Sequence, residues 1–257
     1  MVSVSPAAVP NEFEYLLRLG DDRLVLGHRL SEWCGHAPIL EEDIALANIA
    51  LDLIGQANLL LGLAARIEGK GRDADALAYL RDAIDYRNAL LVEMQKGDFA
   101  VTIVRQLLYS VFALLQAESL QRSTDADVAG VAAKAVKELR YHVRHSADWV
   151  LKLGGGTTES RARAQSAVDD LWPYTGELFL ADDVDRAVAQ SGFGVDPSPL
   201  ESSWQSTVRD VLGRAGLTIP DSAYMQRGGR QGRHTEHLGH MLAEMQIVAR
   251  SHPGASW

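Results

Sequence analysis

The sequence predicts an all-α protein, a bundle of four long helices with further helices at its C-terminal end. Three observations carry that prediction. Apolar residues recur at the three-and-four spacing of a helix face through most of the chain. Clusters of Gly, Pro, Asp and Ser cut these stretches into segments of bundle length. Alternating apolar and polar runs, the mark of half-buried strands, do not occur.

The first helix is expected from about Glu12 to Trp33, with Leu16, Leu17, Leu24, Leu30 and Trp33 at helical spacing and Gly20-Asp21-Asp22 able to bend it. Gly35-His36-Ala37-Pro38 makes a short turn, so the next helix returns antiparallel and runs to about Ile67, where Glu68-Gly69-Lys70-Gly71 stops it. Asp73 to Glu93 reads as a more polar third helix, packed through Leu77, Leu80, Ile84 and Leu91 and lying outside the core as a crossover. Phe99 to Gln121 and Asp127 to Leu153 are the last two struts. Beyond Gly154-Gly155-Gly156 the helices shorten. Pro173, Pro197 and Pro199 divide them, Gly228 to Gly232 forms a loop, and Arg233 to Arg250 closes the chain. We read one domain over 1–257, its bundle core at about 12–153 and a helical extension at about 157–257. Met1 to Asn11 reads as a frayed tail.

Composition narrows the function classes. The chain has 257 residues, 47% hydrophobic and 23% charged, enough to bury a large core. Its net charge of -9 argues against a nucleic-acid partner. Cys34 is alone and no secretory leader is visible, which predicts a cytoplasmic protein. No uncharged apolar run reaches the length of a membrane span, so no membrane partner is expected. Rossmann and P-loop glycine patterns, His-Glu-x-x-His and Gly-x-Ser-x-Gly are absent.

The stretch Glu42 to Asn58 asks the functional question. It is apolar nearly all round, as a buried bundle helix is, yet Asn48, Asp52 and Gln56 recur every four residues as a polar seam. Di-iron carboxylate bundles place Glu-x-x-His on two helices and a Glu on each of two others at such a place. Here Gly55 stands three residues after Asp52, and Tyr141 three after Glu138, so neither imidazole is where iron would need it. His142 and His145 share a side with Glu138, and His142 is the one residual ligand candidate. Lys134 and Lys137 lie beside Glu138 and can neutralise it without metal. The other struts offer only Asp21, Asp22, Glu32 and Glu118, and six ligands cannot be assembled. The seam is thus either a satisfied polar ladder or a metal remnant.

One further motif bears chemistry. Arg227, Arg230 and Arg233, followed by His234, occupy a Gly-rich loop ahead of a helix. They fit a phosphate grip such as one for coenzyme A, a partner contact or a solvated loop. Three readings of function stay open: a scaffold, an active di-iron oxygenase using Asp52, Glu138 and His142, and a CoA-thioester-binding adaptor.

The blocks LRLGDDRLVLGHRLSEWCGHAPILEEDIALANIALDLIGQA, KAVKELRYHVRHSADWVLKLG and GRHTEHLGHMLAEMQ carry a resemblance. Spanning about Tyr15 to Trp257, they resemble the non-catalytic, ferritin-like C subunits of bacterial phenylacetyl-CoA monooxygenase, the ring 1,2-epoxidase. The resemblance implies a ferritin-like four-helix bundle with no catalytic residue and no metal or other cofactor of its own. It implies a catalytic sister subunit that holds the di-iron centre and binds the thioester. It further implies a reductase carrying FAD and an iron–sulfur centre that draws electrons from NADPH. Whether the isolated chain forms a homodimer stays open.

Overall fold

A computed structural model describes residues 9–221 and 224–255, so the tail reading at Met1 to Asn11 falls mostly outside the described residues. Among the described residues all regular structure is helical. The first pair of struts is α1 (Asn11–Ser31) and α2 (Leu40–Glu68). α1 runs unbroken through Gly20. A Cβ there would come within 2.7 Å of Leu61 Cδ2, so the glycine lets α2 pack close instead of breaking the helix. α2 ends as expected, with Gly69 as a left-handed cap at φ 67°.

The crossover departs from expectation. In place of one outer helix there are α3 (Ala74–Tyr79), a 3₁₀ turn (Ala83–Asp85) and α4 (Leu90–Glu93). The segment is also not peripheral: Arg81, Tyr86, Asn88 and Glu93 are buried, whereas Leu80 and Ile84 are exposed. The reason lies on α1. Asp21 accepts from the Arg87 N–H at 2.8 Å, and Asp22 accepts from the Ala89 N–H at 2.7 Å. Carboxylates thus satisfy buried backbone donors that a helix would have satisfied internally.

The second pair of struts is α5 (Phe99–Leu120), N-capped by the Asp98 side chain, and α6 (Ala126–Gly155), N-capped by Asp125. α1 packs mainly on α2 and α5 on α6, and α2 also meets α6 to close the bundle. α2 and α5 are each long and apolar enough to cross a membrane by length and composition alone. The apolar window of α5 is 78% buried inside the protein; that of α2 is 44% buried. The expectation that α2 is enclosed all round therefore fails, and Leu40, Ile44, Leu51 and Leu59 stand on an uncovered outer face.

The extension comprises α7 (Thr158–Leu171), α8 (Asp183–Gln190), α9 (Glu201–Arg214) and α10 (Glu236–Ser251). Pro173 sits in a 3₁₀ turn after α7 and divides the helices as expected. α7 and α9 pack on α5, α8 on α1, and α10 on α3. The Trp204 indole donates to the Leu108 carbonyl at 2.8 Å and its ring meets Phe179 and Trp172, so the extension shares the bundle's apolar core.

Candidate functional site

Three side chains on α2 face three on α6. Glu42 meets His145 at 2.8 Å and Asp52 meets His142 at 3.0 Å, each through the imidazole Nε2. The Gln56 amide donates to Glu138 at 2.8 Å. The order, with residue numbers rising on one helix as they fall on the other, is that of antiparallel neighbours. His142 and Gln56 are buried, while the Asp52 side chain is 35% exposed. The His142 and His145 Nδ1 atoms are buried without a hydrogen-bond partner, which suits a neutral ring carrying its proton on Nε2 toward the carboxylate.

A cation completes the seam from α1. Arg23, 2% exposed, donates from Nε to Gln56 Oε1 at 3.0 Å and from Nη1 to the Leu19 carbonyl. The chain Arg23–Gln56–Glu138 therefore carries positive charge into the interior and links it to the α6 carboxylate. The seam sets a guanidinium where a di-iron bundle would take a carboxylate from that strut. The Lys134 ammonium lies 3.8 Å from Glu138 but is 63% exposed, so it matters less.

This donor set does not fit a binuclear iron centre. A Cβ at Gly55 would meet nothing within 4 Å, so a ligand there would project into open space rather than into the bundle. Tyr141 is 37% exposed, its ring beside those of His142 and His145. Neither position lines the interior, which corrects the expectation of vacated inner ligands. Among the described residues no three His, Cys, Asp or Glu side chains converge as a metal site. Asn48 also leaves the expected seam, because it is exposed. Glu118 pairs with Arg140 at 3.0 Å on the surface. Arg23 and Glu42 went unread in the sequence; charges inside the Leu16–Leu30 apolar run were the available signal for the first.

The C-terminal motif divides. The Arg230 side chain is 11% exposed and forks onto Asp22 at 2.9 and 2.8 Å, with Nη1 also donating to the Arg87 carbonyl. Burial alone would push its pKa down, but Asp22 carries it above the ordinary value. The His234 side chain, 5% exposed, lies between Glu93, at 2.7 Å, and the Tyr86 carbonyl. Neither is free for a phosphate, which corrects that expectation for both. Arg227 and Arg233 are exposed. The glycines serve packing: a Cβ on Gly229 would lie 2.1 Å from the Asn88 carbonyl oxygen. Glu177 accepts from the Gly228, Gly229 and Leu90 N–H groups, tying loop to crossover. A separate open groove of about 730 Å³ lies between α3 and the end of α10, away from the α2–α6 seam.

These features define a ferritin-like helical bundle whose seam is closed on itself by imidazole–carboxylate and side-chain amide hydrogen bonds. The chain belongs to the phenylacetic acid catabolic protein family, whose model matches residues 4–257. It is similar to the C subunit of 1,2-phenylacetyl-CoA epoxidase from Escherichia coli (strain K12), with 48% identity over 243 residues that cover 95% of this chain and 98% of that one.

Proposed function

We propose that this chain is the structural C subunit of a multicomponent monooxygenase that epoxidises the ring of phenylacetyl-CoA in aerobic phenylacetate breakdown in the cytoplasm. It pairs with a catalytic sister subunit of the same fold and holds that subunit in its working shape. The sister carries the di-iron centre. A reductase with FAD and an iron–sulfur centre supplies electrons from NADPH. The similarity to the C subunit of an epoxidase along almost its whole length supports the assignment to the complex.

One observation supports the non-catalytic role above the others: the candidate ligands of the seam are already engaged. Asp52 holds His142, Glu42 holds His145, and Glu138 is tied through Gln56 to Arg23. Recruiting iron would require breaking these contacts and leaving the buried Arg23 guanidinium beside the metal, an arrangement opposed by like charge. The ladder instead stiffens α1, α2 and α6 as a template for a partner. Exposed Arg227 and Arg233 keep a second reading in view, an adaptor that touches the CoA phosphates at the rim of the sister's site.

The test is reconstitution with the neighbouring gene products. Turnover should need this chain, yet Asp52→Asn here should leave the iron content of the complex unchanged. Stoichiometric iron in the isolated chain, lost on that substitution, would defeat the scaffold reading. Wild-type turnover by Arg227→Ala/Arg233→Ala complexes would remove the adaptor reading.

A further inference from the structure

A small cavity lies where the C-terminal extension meets α1 and α5, with a volume of about 20 Å³. A site needs at least roughly 10–15 Å³ to hold a water, whereas organic ligands occupy pockets of about 300 Å³ or more. The cavity is thus of solvent size. Its polar lining comes from Tyr15 and Arg18 on α1, Gln116 on α5, Glu177 after α7, Asp185 on α8 and Arg230 in the loop before α10. Tyr15, Arg18, Gln116 and Asp185 are each no more than 6% exposed.

These groups have more hydrogen-bonding capacity than the described residues use. Gln116 Oε1 and Arg18 Nε are buried without a partner. On α5 the residues one turn to either side of Gln116 are Phe112 and Leu120, both apolar and buried, so its own helix offers the amide nothing. Asp185 accepts from Arg18 Nη1 at 2.9 Å and from the Asp182 N–H at 3.1 Å through one oxygen, Oδ2, which leaves Oδ1 with acceptor capacity to spare. The Tyr15 hydroxyl accepts from the Val195 N–H at 3.1 Å and still has a proton to donate. Buried polar atoms that the chain does not satisfy are met by ordered solvent.

We propose that the cavity binds one structural water, which donates to Gln116 Oε1 and Asp185 Oδ1 and accepts from Arg18 Nε and the Tyr15 hydroxyl. Water suits a lining that mixes two acceptors with two donors. A cation would face the guanidinium groups of Arg18 and Arg230, and an anion would face the carboxylates of Asp185 and Glu177. Bound there, the water joins α1, α5 and α8 and seals the extension onto the bundle from inside. The site is separate from the α2–α6 seam, and it does not depend on any role of the chain in a complex.

A high-resolution crystal structure of the full-length chain tests the proposal. The expected result is an ordered solvent peak at roughly 2.7–3.2 Å from the Gln116 amide and from at least one of Asp185 Oδ1, Arg18 Nε and the Tyr15 hydroxyl. In solution, magnetic resonance should show cross-relaxation between this water and the Gln116 side-chain amide protons. Gln116→Met keeps the length of the side chain and removes its hydrogen-bonding group. In that variant the peak should be lost or fall well below full occupancy, while the Arg18–Asp185 pair stays in place. A dry cavity in the wild-type chain overturns the proposal, as does a Gln116 amide turned onto a protein group or a peak that refines as an ion. A fully occupied water that Gln116→Met leaves untouched overturns it too, since the amide would then not be one of its partners.

Discussion

Replacing Arg230 by Met keeps an apolar stem and removes the guanidinium. Asp22, fully buried, would lose both arms of its pair, at 2.9 and 2.8 Å, and keep only the Ala89 N–H at 2.7 Å. The Arg87 carbonyl would lose its 2.8 Å donor as well. Breaking a buried pair from one side costs about 3–5 kcal/mol, because the remaining charge stays in a poor solvent. A domain is held folded by roughly 5–15 kcal/mol, so the variant should be severely weakened. In a chain of this length each kcal/mol moves Tm by about 2–4 °C, which places the expected drop on the order of 10 °C. Urea melts of Arg230→Met, Asp22→Asn and the double variant measure it. The double should be more stable than the sum of the singles implies, by about 1–3 kcal/mol, since removing both partners leaves no orphaned charge. Two small effects, each within about 0.5 kcal/mol and additive, would refute the staple. So would an Arg230→Met chain that melts like wild type but loses affinity for CoA thioesters.

Two further outcomes follow from the same packing. Asp182 is forked by Arg18 at 2.9 and 2.7 Å. Burial pushes its pKa up, but the Arg18 hydrogen bonds and charge win and bring it down to about 2. A depressed carboxyl stabilises the fold above its ordinary range, and this is lost as pH falls from about 4 to about 2. The side chain is 37% exposed, so the contribution is about 1 kcal/mol after screening. Asp182→Asn should remove that part of the acid slope in denaturant titrations, and an unchanged slope would contradict the assignment. Gly229→Ala should cost at least about 2 kcal/mol by calorimetry, because its methyl would collide with the Asn88 carbonyl; a neutral effect would show that the loop can lift away freely.

The four struts were legible because each is bounded by local signals. Asp98 and Asp125 cap helices, Gly69 stops one, and the apolar spacing runs unbroken between them. The crossover was not, since what breaks it is Asp21 and Asp22, more than sixty residues earlier in the chain. Spacing by four placed Asn48, Asp52 and Gln56 in one row, but a row has no sign: periodicity alone does not say that Asn48 faces water while Gln56 meets Arg23. The Arg230–Asp22 pair lies 208 positions apart, and no local pattern joins them. The family resemblance was legible from whole blocks of sequence, which can be matched without seeing any long-range pairing.

Asp21 and Asp22 also bear on how the molecule is made. Their counter-ions, Arg81 and Arg230, arrive early and late in synthesis. While residues beyond the fourth strut are still on the ribosome, the first helix can lodge one of its two adjacent acids but must keep the other wet. The bundle that looks like a self-sufficient core is therefore a waiting structure, locked by a loop near the end of the chain.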